Sequence, residues 1–278
     1  MPARPLRTST EPVVRDLPPD LAHLAASAGD DAGPDLFLRW QLSPASVHRA
    51  WAAGRGVAVL ADRRRGRSLV AVGPAEDAVT LVRAVLDEAA PEVVTLPRGT
   101  PDLLAATDPV WRQRLVGGDD WDWSWTDAAP AEPLPGEADV VVLDVETRER
   151  PGADADAVRA LVAAASPRSS AQPGDPQVRS WMGVRDGRDV LACVASTSDD
   201  GGAAPHLAAV ATHPAHRGRG LGAAVTAALT RRLLRENPVV TLGMYADNDV
   251  ARRLYARLGW TCSHRFSSRL VRPLPRTS

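Results

Sequence analysis

Residues 212–222 read THPAHRGRGLG, and the apolar run AALTRRLL follows at 227–234. Three glycines and two arginines therefore mark the junction between a strand-like segment, HLAAVATHP (206–214), and a helix-like segment that begins at 221. That order presents unpaired backbone N–H groups at a helix N-terminus, aimed along a favourable dipole. Gly218, Gly220 and Gly222 carry no Cβ, so an anion can approach the backbone closely. Arg217 and Arg219 add positive charge in a form suited to phosphate oxygens. The alternative is a tight turn carrying surface arginines. The loop lacks the Gly-Lys-Ser/Thr ending of a nucleotide P-loop. It also lacks the ribose-binding acid that follows a dinucleotide fingerprint.

Outward from this loop, the C-terminal half reads as alternating elements. DVVVLDVETRE is a strand, DADAVRALVAAA a helix, and SPRSSAQPGDPQ a long polar loop; VRSWMGVRD and DVLACVAST form a hairpin through DGRD. Then come the strand 206–214, the glycine loop, a helix over 221–236, the strand VVTLGMYA, a helix over 248–258 and a last strand near WTCSHRFSS. The fold class is α/β, with a mixed central sheet and flanking helices. The stretch AAPAEPLPGEAD, rich in proline, alanine and acid, sets a linker at 128–137, with one domain over 18–127 and another over 138–278.

The N-terminal half repeats the order more weakly. After a polar tail over 1–17, PDLAHLAASAG and SPASVHRAWAAG carry helical patterns, the second with Ser43 or Ser46 as N-cap. GVAVLAD and SLVAVG form a two-stranded hairpin around RRRGR; AEDAVTLVRAVLDEAA is an amphipathic helix and EVVTLP a strand. In DDWDWSWTD, Trp121, Trp123 and Trp125 alternate and share one face of a strand, which suits either a ligand box or the cover of a core or domain interface. The common order points to an internal structural duplication.

Composition bounds the function. The apolar fraction is 44%, the charged fraction 24% and the formal net charge −1, so nothing global favours nucleic acid or an anionic membrane. Lysine and isoleucine are absent, which reads as GC-rich coding. Cys193 and Cys262 sit in apolar strand-like contexts without metal-site spacing, and are expected to be buried thiols in a reducing cytoplasm. The N-terminal segment has no signal-peptide pattern, and no apolar run approaches the ~20 residues of a membrane helix.

VATHPAHRGRGLG followed by NDVARRLYARLGW resembles the GNAT superfamily of acyl-CoA-dependent N-acyltransferases. Arg217-x-x-Gly220-x-Gly222 matches that family's Gln/Arg-x-x-Gly-x-Gly/Ala motif. Asn248-x-x-Ala251-x-x-Leu254-Tyr255-x-x-x-Gly259-Trp260 matches its second signature, with Trp where Phe is commoner. The resemblance covers roughly residues 138–272, and the two-domain layout resembles tandem members whose C-terminal copy alone is active.

The resemblance implies an N-acetyltransferase that uses acetyl-CoA as co-substrate and no metal, and acts on a primary amine in a ternary complex. Arg217, Gly218, Arg219, Gly220, Leu221 and Gly222 are then expected to hold the CoA pyrophosphate. The central strand is expected to bulge and part from its neighbour, so that Val210, Ala211 and Thr212 meet pantetheine as an added strand would. The Val210 N–H would polarise the thioester carbonyl. Tyr255 stands where the family places a tyrosine near the CoA sulfur, and the alternative for it is core packing. Asn248 either touches pantetheine or caps a helix.

His206, eleven residues before Arg217, is the candidate base, because an imidazole titrates near neutral pH. His213 and His216 are expected to be solvated. Tyr245, Asp247, the loop 166–178 and nearby Trp181 are expected on the acceptor side. The N-terminal half is expected to be a degenerate GNAT-like copy that packs against the catalytic half and shapes a wall of the acceptor cleft. Where a phosphate loop would stand it has VGPAED, and Glu76 and Asp77 would repel a phosphate. A catalytically quiet acyl-CoA sensor is the alternative to an enzyme. Partners other than acetyl-CoA and an amine, namely nucleic acid and membrane, are not expected; the protein is expected to act as a monomer or homodimer.

Overall fold

The computed structural model describes residues 13–30, 33–147, 150–169, 171–198 and 201–273. In chain order its elements are β1 (Arg15–Leu17), α1 (Leu21–Ala28), α2 (Leu36–Gln41), β2 (Val47–Ala53), β3 (Gly56–Arg63), β4 (Gly66–Val72), α3 (Ala75–Ala89), β5 (Val93–Pro97), α4 (Thr100–Thr107), α5 (Trp111–Arg114), β6 (Leu115–Val116) and β7 (Asp120–Thr126). Then follow β8 (Val141–Leu143), β9 (Glu146–Thr147), β10 (Arg150–Pro151), α6 (Ala155–Ala165), β11 (Val178–Arg185), β12 (Leu191–Ser198), β13 (His206–Thr212), α7 (Leu221–Leu233), β14 (Val240–Tyr245), α8 (Asp249–Arg257) and β15 (Thr261–Val271). None of the described helices is long and apolar enough to cross a membrane.

The chain divides into two compact units, but not at residues 128–137. Among the described residues, the first unit takes those up to 35, then 45–118 and from 267 onward; the second takes 36–44 and 119–266. The expected domains 18–127 and 138–278 are corrected accordingly. Two features explain the difference. The tryptophan-rich strand β7 pairs antiparallel with β14 over six residues, from Val240↔Thr126 to Tyr245↔Trp121. The segment 128–137 is also tied down: the Glu137 carboxylate accepts from the Leu134 N–H and from Arg231 Nε, both at 2.8 Å, and Leu134 packs on the second unit's core.

In the first unit the sheet order is β1-β2-β3-β4-β5, followed by β15, whose last residues pair with β6. The expected tail 1–17 is corrected at its end, because Arg15–Leu17 pair with Ala50–Ala52; residues 1–12 lie outside the described residues. The expected helix over 43–54 is also corrected. After one 3-10 turn at Pro44–Ser46, Val47–Ala53 form a strand. Alanine favours helix locally, but here the β2–β3 ladder runs from Val47↔Ala61 to Ala53↔Gly56 and buries Ala50, Trp51, Ala52 and Ala53. Tertiary pairing outweighs propensity. The crossover α3 makes β4 and β5 parallel and buries Ala78, Leu81, Val82, Val85, Leu86 and Ala89 at helical spacing.

In the second unit the order is β7-β14-β13-β12-β11-β8, antiparallel except for the β13–β14 pair. Helices α7 and α8 cover one face, where Cys193, Ala195, Leu207, Val225, Leu229, Val240, Leu242 and Tyr255 share a core. Helix α6 covers part of the other face, with Trp181, Val194 and Ala211 against Val158, Leu161 and Val162. The order β-α-β-β-β-α-β-α-β expected from the sequence is present as β8, α6, β11, β12, β13, α7, β14, α8 and β15, except that the strand expected over DVVVLDVETRE ends at Leu143 and a separate β9–β10 pair is inserted before α6. Both units contain three antiparallel strands, a helix, a parallel strand and a further helix, from β2 to α4 and from β11 to α8. Cys193 is buried and Cys262 exposed, and both are free thiols, so the expectation of two buried thiols holds for one of them.

A segment cut at the linker, residues 138–278, lacks β7 and α2, both part of the second unit. That fragment is expected not to fold alone, and to regain a cooperative thermal transition when co-expressed with residues 1–137. A cooperative transition of 138–278 alone, measured by circular dichroism, would contradict this assignment.

Candidate active site

Strand β13 departs from regular geometry at its centre. Val194 of β12 pairs with Ala211 and Ser196 with Ala208, so two residues of β13, Ala209 and Val210, stand opposite Ala195 alone. Ala209 adopts the left-handed region at φ 50°, which costs a residue with a side chain about 1 kcal/mol or more. This is a β-bulge, and it shifts the alternation of faces by one. Leu207 and Val210 pack on the α7/α8 side, whereas Ala209 and Ala211 pack with α6. On its other edge β13 pairs with β14 only at His206↔Thr241 and Leu207↔Leu242. Beyond that point the two strands share no ladder, and Val210, Ala211 and Thr212 border the opening between them.

The glycine loop follows directly. One 3-10 turn, Pro214–His216, leads to Gly218 at φ 76° and Gly220 at φ 79°, and Gly220 caps α7. No atom lies within 4 Å of where a Cβ would stand on Gly218 or Gly220, so both face open space. The first turn of α7 leaves N–H groups without intrahelical acceptors. Residues 217–220 are exposed. Arg217 donates from Nε to the Thr212 carbonyl at 3.4 Å and from Nη2 to the Ala165 carbonyl at 3.5 Å. Gly222 is closer packed, its Cβ position 3.4 Å from Thr212 Oγ1 and 3.8 Å from Leu254.

His213 and His216 are not simply solvated. The Ala215 N–H donates to His213 Nδ1 at 3.2 Å. His216 stands between Arg219, whose Nη1 is 2.9 Å from its Nδ1, and Asp186, whose Oδ2 is 3.4 Å from its Nε2. Asp186 sits below the usual carboxylate range because the Val190 and Arg188 N–H groups donate to it, with His216 a smaller cause. The sequence pattern gave no sign of this link, since Asp186 comes from the β11–β12 turn.

On the α7/α8 side, Tyr255 is 6% exposed and its ring tilts against Trp260 at 6.0 Å. Burial pushes its phenol well above the ordinary tyrosine range, and the neighbouring Cys193 adds to this. The Cys193 sulfur lies 3.2 Å from Thr212 Oγ1, and burial raises its thiol to about 11. Asn248 caps α8, accepting from the Ala251 N–H at 3.0 Å.

On the opposite face of β13, β14 and β7, His206 Nδ1 lies 3.0 Å from Thr241 Oγ1. Thr241 Oγ1 in turn donates to Gln41 Oε1 or to the Pro205 carbonyl, both at 3.3 Å. Trp123 Nε1 donates to the same Gln41 oxygen at 2.9 Å. Gln41 arrives on α2, an element the sequence reading did not anticipate, so this partner of the His206 chain was missed. Of the three tryptophans, Trp123 is fully buried, while Trp121 and Trp125 are partly exposed.

At the end of β14, the Tyr245 hydroxyl donates to the Arg168 carbonyl at 2.6 Å, and the Arg168 guanidinium lies 4.1 Å over the Tyr245 ring. Arg168 also binds both Asp247 oxygens, at 2.7 and 2.9 Å, and holds that carboxylate below its usual range. Arg168 thereby ties its part of the loop 166–178 to Tyr245 and Asp247. Arg168 itself gave no pattern in the sequence. Trp181 is 3% exposed in the α6 core and does not line this face.

The corresponding place in the first unit is filled. Asp77 accepts from the Arg55 N–H at 3.0 Å, and Cβ atoms on Gly54 or Gly56 would collide with Asp77. A Cβ on Gly73 would stand 2.7 Å from the Arg55 carbonyl oxygen. The β2–β3 turn and a carboxylate thus occupy the start of α3, where the second unit has its open glycine loop.

Comparisons with known proteins bear on the fold. The model of the FR47-like protein family matches residues 182–268. A GCN5-related N-acetyltransferase from Sphaerobacter thermophilus superposes with a TM-score of 0.54 at 18% identity, over 94% of this chain and 96% of that one. A Drosophila protein superposes at 0.53 with 16% identity, over 94% and 99%. No curated protein matches the chain by sequence. The chain thus has the fold of the GCN5-related N-acetyltransferase, and its residues 182–268 match the FR47-like protein family.

Proposed function

We propose that the second unit is an N-acetyltransferase that moves an acetyl group from acetyl-CoA to a primary amine in a ternary complex. The observation that carries this reading is the parting of β13 from β14 at the bulge, in line with an open glycine loop at the start of α7. Such an opening offers strand-edge N–H and C=O groups to the amides of a pantetheine arm, and helix N–H groups to a pyrophosphate. Gly218, Gly220, Leu221 and Gly222 supply the backbone donors. Arg217 and Arg219 supply charge, the second aligned by His216. Val210, Ala211 and Thr212 line the strand edge, and the Val210 N–H is assigned to the acyl carbonyl.

The proton steps follow from two side chains. With the Thr241 hydroxyl donating onward to Gln41 or Pro205, its oxygen accepts from His206 Nδ1–H. A neutral His206 then carries its lone pair on Nε2, where a base is needed to take the proton of the attacking amine. Tyr255 stays protonated throughout the working pH range because its pKa is raised. It therefore suits the acid that protonates the departing thiolate. Asn248 acts through the α8 cap. Two free thiols suit a cytoplasmic setting. The first unit is assigned no CoA site, since Asp77 and the β2–β3 turn fill the equivalent place.

Gly220→Asp puts a carboxylate at the loop, in open space and at a left-handed position. CoA affinity is expected to fall at least ~100-fold, or about 2.7 kcal/mol, while the fold survives. Calorimetry showing unchanged CoA binding in a folded variant would remove the phosphate assignment.

Tyr255→Phe is expected to leave CoA binding within a few-fold and to lower kcat by roughly 10²–10⁴ with an accepted amine. His206→Ala is expected to abolish the acidic limb of the kcat/KM profile, read with an acceptor of low basicity so that the amine's own titration stays separate. Near-wild-type turnover in the first variant would reduce Tyr255 to packing, and an unchanged acidic limb in the second would move the base elsewhere.

A further inference from the structure

Asp186 stands in the β11–β12 turn, and its two carboxylate oxygens have separate tasks. Oδ1 accepts from the Arg188 N–H at 2.8 Å and from the Val190 N–H at 3.0 Å. Oδ2 is left for His216, whose Nε2 stands 3.4 Å away, and both side chains are mostly buried. His216 is itself set by the 3-10 turn before the glycine loop. Its N–H donates to the His213 carbonyl at 2.8 Å, and the His213 N–H donates to the Ala192 carbonyl of β12 at 2.9 Å. Across the ring, Arg219 Nη1 lies 2.9 Å from His216 Nδ1. Arginine can only donate, so Nδ1 must carry the lone pair. The His216 ring is therefore neutral with its proton on Nε2, the nitrogen beside the Asp186 carboxylate, and that carboxylate favours this tautomer. The three residues form one directed chain, from Arg219 through His216 to Asp186.

The chain distinguishes the two arginines of the loop. Arg217 spends Nε on the Thr212 carbonyl and Nη2 on the Ala165 carbonyl, which ties the loop to the ends of β13 and α6. Arg219 gives one N–H to His216, and its other donors have no partner among the described residues. It directly precedes Gly220, the cap of α7, whose Cβ position faces open space. A free arginine loses much side-chain freedom when it binds a ligand, and one that is fixed beforehand loses less. A held guanidinium beside the bare N–H groups of a helix start suits the oxygens of a phosphate ester. We propose that Asp186 is a positioning residue for phosphate recognition: acting through His216, it holds the Arg219 guanidinium ready for the CoA pyrophosphate at the α7 glycine loop. The proposal deepens the transferase reading and rests on it for the identity of the ligand.

Asp186→Asn keeps the turn and reverses the chain. The amide oxygen still takes the Arg188 and Val190 N–H groups, as Oδ1 does now. The amide NH2 in place of Oδ2 donates to His216 Nε2, so the ring proton moves to Nδ1 and opposes Arg219. CoA is titrated by calorimetry into wild type, Asp186→Asn, Arg219→Gln and the double variant, with Tm measured for each. Asp186→Asn is expected to raise the Kd for CoA about three- to tenfold, the scale of ordering one long side chain. Arg219→Gln is expected to raise it about tenfold or more, through loss of a charged contact. In the Arg219→Gln background, Asp186→Asn is expected to change Kd by about twofold or less, whereas a merely structural effect would be equal in both backgrounds. His216→Phe, a ring without an acceptor, is expected to raise Kd to the same extent as Asp186→Asn. Unchanged CoA affinity in folded Asp186→Asn or His216→Phe, or an equal loss in both backgrounds, overturns the proposal and leaves the transferase reading in place. Wild type that binds no CoA overturns both.

Discussion

At Ala209 and Val210, β13 holds two residues where β12 holds one, and the geometry of the second unit follows from that mismatch. Upstream of it, Leu207 faces α7 and α8 and pairs with Leu242, so β13 and β14 behave as ordinary parallel neighbours. Downstream, the alternation is displaced by one residue and the pairing with β14 has ended. A bulge bends its strand and raises the local twist, which separates two strands that would otherwise stay in register. The left-handed backbone of Ala209 is the strained residue that this requires, held by Ser196 Oγ donating to the Ala208 carbonyl at 3.1 Å and by the α6 core. The opening and the glycine loop at its end both lie beyond this one irregularity.

The same topology serves two different ends in the two units. In the second, the start of the crossover helix faces open space through Gly218 and Gly220. In the first, Asp77 at the start of α3 receives the Arg55 N–H, and the β2–β3 turn packs onto Gly73. A carboxylate in the first turn of a helix is stabilising by the dipole alone, so the place that could bind an anion is occupied by one of the chain's own. The two helix starts thus differ in what stands before them, the chain's own carboxylate in one and open space in the other.

Much of this was legible in the sequence where local chemistry decides structure. The strand, glycine loop and helix around 206–233, the α8 cap at Asn248 and the hairpin through 186–189 follow from periodicity, turn residues and caps. What stayed hidden depends on partners far along the chain. Val47–Ala53 reads as a helix because alanine says so locally, and becomes a strand because β3 pairs with it. Residues 36–44 carry no signal that Gln41 will sit among Trp123, Thr241 and the His206 chain. The linker at 128–137 was read from composition, which cannot show that Glu137 binds Arg231 or that β7, before it, completes the sheet after it.

CoA is proposed to bind in the opening beyond the β13 bulge, continued by the α7 glycine loop. Hydrogen exchange followed by mass spectrometry, with and without CoA, tests it directly in the intact chain. Slowed exchange is expected in peptides covering Val210–Thr212 and Gly218–Ala223, with no change in the first unit's Gly54–Asp77. Unchanged exchange in the β13 and α7 peptides at saturating CoA, or protection at Gly54–Asp77 instead, would contradict the account.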